Sequence, residues 1–129
     1  MCLATITADK TTKRIGYKVL YHNNYTRQLE TGVCGAKGIL LPVGKYVKDP
    51  NRTPISEGNY LLKYPAGFHI CLNKREAQII RQHEGGVVCK VKFRKSVAVG
   101  DVHWCFRSGQ TLSSKTVVAR EVMLVGEDT

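Results

Sequence analysis

The most regular alternation of apolar and polar residues runs through positions 87–94. A period of two is the repeat of a strand with one face against a core, because successive side chains point to opposite faces. The pattern therefore predicts a strand that turns its apolar residues inward and its cations outward. The inward residues are Val87, Cys89, Val91 and Phe93, and the outward residues are Lys90, Lys92 and Arg94.

A second alternating segment lies near the N-terminus, at residues 15–21. It follows a polar and basic segment, 1–14, that we interpret as an arm or an edge strand. The alternation predicts a strand with two different faces. One face carries Tyr17, Val19 and Tyr21, and the other carries Lys18 and His22.

Glycine and proline divide much of the remaining chain into shorter strands. A strand at 60–72 is interrupted by a turn at 65–67, where proline and glycine disfavour strand pairing. Turns at 100–101 and 108–110 separate later predicted strands, which occupy 97–99, 101–106 and 116–125. The last of these is mostly apolar, which is typical of a central strand or of one buried on both faces.

One helix is predicted, at about residues 73–83. Asn73 is a favourable N-cap, and Glu76 follows it at the spacing of a capping box. Two glycines at 85–86 end the helix. The residues on or near its apolar face are Ala77, Ile79 and Ile80.

The order of the elements is β-rich, then one helix, then β-rich again, which is typical of the α+β class. The chain has 129 residues, the length of one domain with one core. The sequence therefore predicts a single α+β domain over residues 1–129. We expect a mainly antiparallel β-sheet with one short helix.

The charge of the chain narrows the classes of partner. Twenty Lys and Arg stand against ten Asp and Glu, which gives a net charge of +10. Such an excess attracts phosphate-rich partners or acidic protein surfaces. The alternative is a basic surface that serves only solubility.

The five cysteines have no Cys-x-x-Cys spacing and are odd in number, so a secreted disulfide framework is not expected. The first fourteen residues lack the apolar region of a signal peptide, and no apolar run approaches a membrane span. We expect reduced thiols, a cytoplasmic location and no membrane partner.

Two His-x-Cys pairs, His69–Cys71 and His103–Cys105, each place an imidazole and a thiol on one face of a strand. If the two strands were neighbours, four ligands for zinc would converge. The spacing is not that of a zinc motif, and an activated thiol needs an electropositive niche. We therefore expect no metal site, no cofactor and no catalytic residue, and we expect most of the cysteines to fill the core.

The binding residues with the clearest pattern are the cations of the alternating strand. Residues i and i+2 of a strand lie about 6.6–6.8 Å apart. That interval resembles the spacing of phosphates along an extended single strand of nucleic acid. Lys90, Lys92, Arg94 and Lys95 are the predicted charge contacts, and Lys18, His22 and His69 are placed nearer a specific pocket. Phe68, Lys74 and Arg75, at the corner where the helix begins, complete the predicted binding residues.

Aromatic residues for base stacking are available near these cations. They are Tyr17, Tyr21, Tyr25, Tyr46, Phe68 and Trp104.

Three short segments, MCLAT at 1–5, GYKV at 16–19 and GFH at 67–69, resemble small uncharacterised phage and prophage proteins with a Gly-Phe-His motif. The resemblance implies an origin in a virus or mobile element and a location in the host-cell cytoplasm. It also implies inhibition of a host defence system, as an anti-CRISPR protein does, by masking a nucleoprotein or sequestering a nucleotide signal.

A looser likeness is to ADP-ribosyltransferase folds, carried by YKVLYH at 17–22 and by GFHIC at 67–71 before REA at 75–77. The chain lacks the His-Gly of that first strand and the Gln-x-Glu pair. Glu121 is the acid inside the last predicted strand. An enzyme of this kind would depend on Tyr17, His69 or Glu121.

The sequence as a whole favours a non-enzymatic binding protein for nucleic acid, a nucleotide or a host nucleoprotein. One alternative is the ADP-ribosyltransferase-like enzyme. Another is a protein–protein inhibitor that recognises an acidic host surface. A homo-oligomer formed through an edge strand is also open.

Overall fold

The computed structural model describes residues 3–23, 25, 27–31, 38–52, 55–56 and 63–127. Within these ranges the predicted α+β domain is confirmed, with mostly antiparallel strands and a single short helix. The elements are β1 (Thr5–Ala8), β2 (Ile15–His22), β3 (Leu29–Glu30), β4 (Tyr46–Lys48), β5 (Ile55–Ser56), β6 (Lys63–Tyr64), β7 (Phe68–Cys71), α1 (Lys74–Glu84), β8 (Val87–Cys105) and β9 (Thr111–Glu127).

The two longest strands, β8 and β9, form an antiparallel hairpin that pairs from Cys89 with Glu127 to Cys105 with Thr111. The predicted turn at 100–101 is wrong, because both residues remain paired within β8. The predicted strands 97–99 and 101–106 are therefore one strand, and the last strand begins at 111 rather than 116. The predicted turn at 108–110 is confirmed, with Gly109 at φ +87°.

Gly100 does not form the turn that the sequence predicts; it allows another strand to approach closely. It pairs with Ile6 of β1, and a Cβ at this position would overlap the carbonyl oxygen of Thr5. Glycine is present because another backbone approaches closely, which is a common reason for glycine inside a strand. The N-terminal segment thereby contributes an edge strand.

Four strands close a ring. β8 pairs with β2, β2 with β7, β7 with β9, and β9 with β8, and every pairing is antiparallel. Register shifts at 90–91 and 96–98 mark β-bulges, which bend the long hairpin enough for the ring to close. β1 and β4 extend the sheet at its two edges.

The interior of the ring is the main core of the protein. Val91 and Phe93 point into it, while Lys90, Lys92 and Arg94 are exposed, as the alternation predicts. In β9 the residues 116–119 are buried in succession, which confirms a strand covered on both faces. Other core residues are Leu20, Leu41, Phe68, Ile70, Val117, Val122 and Leu124.

The helix α1 covers the outer face of the ring. Asn73 caps it, since its Oδ1 accepts the Glu76 amide at 3.2 Å, as the sequence predicts. The Glu76 carboxylate accepts the Lys115 amide of β9 at 3.0 Å and so fastens the first turn to the sheet. Buried Ala77 and partly buried Tyr17 belong to the apolar cluster beneath the helix.

Several predictions concern residues outside the described ranges. The strand predicted at 60–72 is observed from Lys63 onward with its break at 65–67, but 60–62 lie outside the described residues. Cys2 and Cys34 lie outside them as well. None of the described residues belongs to a helix long and apolar enough to cross a lipid bilayer.

Candidate functional site

Around the ring of strands, the fewest backbone pairings join β2 and β7. Within the described residues these strands pair at one position, Tyr17 with Cys71. The carbonyl oxygen of His69 accepts a hydrogen bond from the Lys18 ammonium at 2.8 Å. A lysine side chain thus takes the place of a strand partner where β2 and β7 separate.

A cavity of about 510 Å³ opens where these strands separate, between the outer face of the ring and α1. Its volume is in the range of small-ligand pockets. Aromatic residues form part of its wall, and both basic and acidic side chains reach it. The lining residues include Tyr17, Lys18, Tyr21, Glu30, His69, Cys71, Glu84, Trp104, Ser114 and Thr116.

Lys18 is half-buried at this cavity. Burial lowers the pKa of its ammonium to about 8, an effect that the carboxylate of Asp49 partly opposes. The division of β2 into two faces is as predicted, because Leu20 enters the core while Tyr17 and Val19 pack beneath α1. Both faces are covered, however, so Lys18 is not on a wet face.

His69 is held in the neutral form. Its Nε2 lies 2.9 Å from Tyr64 Oη, which accepts the Leu3 amide and can donate its own hydrogen to the imidazole. Burial first, and then the positive charge of Lys18, lower the pKa of His69 to about 3. A neutral imidazole can lie beside the Lys18 ammonium without charge repulsion, and His69 therefore forms part of the cavity wall.

Cys71 shares the cavity with His69, as their i, i+2 spacing predicts. Burial raises the pKa of its thiol to about 11, and Sγ donates to the Asn73 carbonyl oxygen at 3.3 Å. A protonated thiol is a poor nucleophile. The other pair, His103 and Cys105, is exposed, and within the described residues no His, Cys, Asp and Glu group could hold a metal ion.

The hydroxyl groups at the far wall of the cavity form a small network. Trp104 Nε1 donates to Ser114 Oγ at 3.2 Å, and Thr116 Oγ1 lies 3.3 Å from the same oxygen. Ser114 and Thr116 are buried, with 1% and 3% of their surfaces exposed. The network fixes the indole of Trp104 against the strand.

Two carboxylates complete the cavity. Glu30 is on β3, opposite Tyr21, and its Oε2 accepts from Asn23 Nδ2 at 3.1 Å. Glu84 is on the last turn of α1. With His69 neutral, these two acids and the Lys18 ammonium are the charged groups among its lining residues. The cavity therefore does not favour a multiply charged anion.

The exposed cations of β8 lie beside the cavity. Lys90 is directly opposite Tyr17 of β2, and Lys92 is opposite Ile15. Their partners on β9 are Gly126 and Met123. All four cross-strand neighbours are uncharged, so the sheet itself does not neutralise these two ammonium groups.

The segment before β2 adds further cations to this region. Phe93 donates its amide to the Arg14 carbonyl oxygen at 2.8 Å, and Thr11 donates its amide to Ser96 Oγ at 3.3 Å. Lys13 and Arg14 are exposed. The segment therefore runs along β8 where Lys92 is presented. We call Lys13, Arg14, Lys90 and Lys92 the basic surface.

Arg94 and Lys95 differ from the lysines of the basic surface, because both are bound by Glu121. Arg94 Nε lies 2.6 Å from Oε1 of Glu121, and Lys95 Nζ lies 2.7 Å from Oε2. Arg94 also stacks over Tyr46, with Cζ 3.9 Å from the ring centroid. Hydrogen bonds from Lys95 and Arg94 lower the pKa of Glu121 to about 2. The predicted row of cations is thus divided into two lysines and a structural ion-pair cluster.

The remaining predicted site residues are dispersed. Phe68 has 4% of its surface exposed, packs in the ring interior and does not line the cavity. His22 Nε2 lies 3.4 Å from Glu127 Oε1. Lys74 and Arg75 are in the first turn of α1, outside the cavity lining.

Several cavity residues were not anticipated from the sequence, among them Glu30, Glu84, Ser114 and Thr116. Ser114 and Thr116 did carry a signal, since they are polar residues two apart before a long apolar strand. Such residues are expected to share one face and to need hydrogen-bond partners when buried. Glu30 and Glu84 carried no such signal in the sequence, because their approach to the same cavity depends on how β3 and α1 pack.

Glu121 does not line the cavity that contains Tyr17 and His69. The three residues on which the transferase alternative depends are therefore not assembled in one site. In comparisons with known proteins, no family model, no curated protein and no solved structure matches this chain.

Proposed function

We propose that this chain is a non-enzymatic binding protein for a phosphate-rich polyanion, and that nucleic acid is the polyanion it binds. The observation that carries the proposal is that the cross-strand partners of Lys90 and Lys92 are all uncharged. An ammonium group that no neighbouring carboxylate neutralises gains most from a phosphate, because the phosphate releases its counterions to the solvent.

The spacing and the neighbourhood of these lysines support an extended strand as the ligand. Lys90 and Lys92 share one face about 6.6–6.8 Å apart, and Lys13 and Arg14 lie alongside. Arg94 and Lys95 contribute less, since Glu121 already engages them. The net charge of +10 adds a long-range attraction that raises the rate of encounter.

The wider biological expectations rest on the sequence resemblance alone. Origin in a phage or mobile element, a location in the host cytoplasm and inhibition of host defence stay predictions. Self-association through an edge strand, which does not depend on that resemblance, also stays a prediction. A nucleoprotein or a nucleotide signal is compatible with the same surface chemistry. Nucleic acid is preferred because the cations are spread along a strand rather than gathered around one phosphate.

Removal of the two lysine charges tests the proposal. The variant Lys90→Gln with Lys92→Gln should bind a fluorescein-labelled single-stranded oligonucleotide roughly twentyfold more weakly at 0.1 M salt, as two lost phosphate contacts imply. Fluorescence anisotropy measures the change.

The matched control is Arg107→Gln with Lys115→Gln, which removes the same charge from exposed residues towards the hairpin turn between β8 and β9. It should keep binding close to wild type. Equal weakening in both variants would mean that only the net charge matters, and no measurable binding by the wild type would overturn the proposal.

A further inference from the structure

The cavity and the basic surface are continuous. Tyr17 forms part of the cavity wall and is the direct cross-strand partner of Lys90. Side chains of directly opposed residues point to the same face, with Cβ atoms roughly 4.5–5.5 Å apart. A ligand that lies along Lys92 and Lys90 therefore arrives at the rim of the cavity.

The walls of the cavity suit a flat, neutral ring with hydrogen-bonding edges. Tyr17, Tyr21 and Trp104 supply aromatic surface on which such a ring can stack. The carboxylates of Glu30 and Glu84 accept hydrogen bonds, and the Lys18 ammonium donates them. Within the described residues, that ammonium donates a hydrogen bond to the His69 carbonyl oxygen, and Nζ carries further hydrogens that it can donate to a ligand.

A phosphate fits this cavity poorly. Two carboxylates face one ammonium, and His69 is neutral, so a second anion would meet more repulsion than attraction. A nucleobase has no net charge and presents both N–H donors and carbonyl or ring-nitrogen acceptors. The charges thus separate the two parts of a nucleotide, with phosphate outside and base inside.

We propose that the cavity receives an unpaired nucleobase of a single-stranded nucleic acid whose phosphates lie on Lys90 and Lys92. This proposal rests on the polyanion-binding function above and makes it more specific. It identifies single strands as the ligand class, because a base stacked and paired inside a duplex cannot enter a side cavity. Tyr17 and Tyr21 are the stacking surfaces on β2, and Trp104 is the one on β8.

The intrinsic fluorescence of the protein reports on this event. The chain contains one tryptophan, and Trp104 lines the cavity with its Nε1 bound to Ser114. A base that stacks in the cavity changes the environment of this indole. The probe is a single-stranded DNA oligonucleotide, compared with an oligonucleotide of the same length in which every nucleotide is abasic, so that the phosphates are matched.

We expect the base-bearing strand to bind about fivefold to about a hundredfold more tightly than the abasic strand, as a stacked base contributes. We also expect only the base-bearing strand to quench Trp104. Equal affinity without quenching would overturn the base pocket and leave the polyanion proposal intact. Absence of binding to both strands would overturn both.

A cavity variant gives an independent check. Tyr21→Leu keeps an apolar side chain but removes a stacking surface, and it leaves Lys90 and Lys92 in place. The variant should lose most of the preference for the base-bearing strand while its affinity for the abasic strand stays at the wild-type level. An unchanged preference would contradict a role of the cavity. If this variant fails to fold, the two-probe comparison on the wild-type protein still decides.

Discussion

At the scale of single residues, burial determines what Lys18, His69 and Cys71 can do. Each loses part of its contact with water, and each is pushed towards the neutral form: Lys18 to a pKa of about 8, His69 to about 3 and Cys71 to about 11. The thiol and the imidazole are consequently uncharged near neutral pH. Their arrangement fits a binding wall, with Lys18 as its polar donor.

The depressed pKa of His69 makes a prediction about acid stability. The unfolded chain takes up a proton on this imidazole below pH 6.5, whereas the folded chain does not until about pH 3. The unfolded state therefore binds more protons in that window, and stability falls as the pH falls.

Relative to His69→Gln, the wild-type free energy of unfolding should decrease by up to about 1.4 kcal/mol per pH unit between pH 6 and 4. Urea unfolding followed by circular dichroism measures this difference. The charged and titratable neighbours, Lys18 and Tyr64, are unchanged in the variant. Parallel pH profiles for the two proteins would contradict a neutral buried imidazole.

At the scale of elements, the β8–β9 hairpin organises the molecule. Its β-bulges bend it, and the two halves of β8 pair with different strands, β2 at 87–92 and β1 at 99–101. Near the bend, Glu121 of β9 forms ion pairs with Arg94 and Lys95 of β8. Lys95 has a positive φ of 59°, which is unusual for a side chain other than glycine. Its bond to Glu121 helps to hold that conformation.

The close approach of β1 to β8 is testable at Gly100. Gly100→Ala would place a methyl group against the Thr5 carbonyl oxygen, so we expect a loss of roughly 1–3 kcal/mol in stability, as overpacking costs. Chemical denaturation provides the measurement. Gly126→Ala is the control, since among the described residues no atom lies within 4 Å of its added Cβ, and it should stay within about 0.5 kcal/mol of wild type. Equal stability of both variants would rule out the tight contact.

Local features of the sequence were sufficient for some of the elements, but not for all of their bounds or for their assembly. The cap at Asn73 and the alternation at 87–94 each depend on neighbours a few residues away, so both were predictable. Gly100 looks the same in sequence whether it makes a turn or admits another backbone. The cavity was not predictable, because it forms where β2 and β7 separate, and that depends on pairings across the whole ring.

At the scale of the whole molecule, the excess positive charge is not equally available to a ligand at every cation. Glu121 offsets part of it at Arg94 and Lys95, while the lysines at 90 and 92 have neutral neighbours and adjoin the cavity. The proposed ligand therefore needs two properties, a phosphate backbone and an accessible base. In the proposal, the lysine charges supply affinity, and the cavity supplies the preference for single strands.

The most direct measurement of the central claim is the salt dependence of binding to a single-stranded oligonucleotide. For the wild type, the logarithm of the association constant should fall linearly with the logarithm of the salt concentration between about 50 and 200 mM. In Lys90→Gln with Lys92→Gln the slope should be shallower by about 1.4, since about 0.7 is lost for each phosphate contact on a single strand. In Arg107→Gln with Lys115→Gln the slope should match the wild type. A wild-type affinity that does not change with salt, or three equal slopes, would contradict phosphate binding by these lysines.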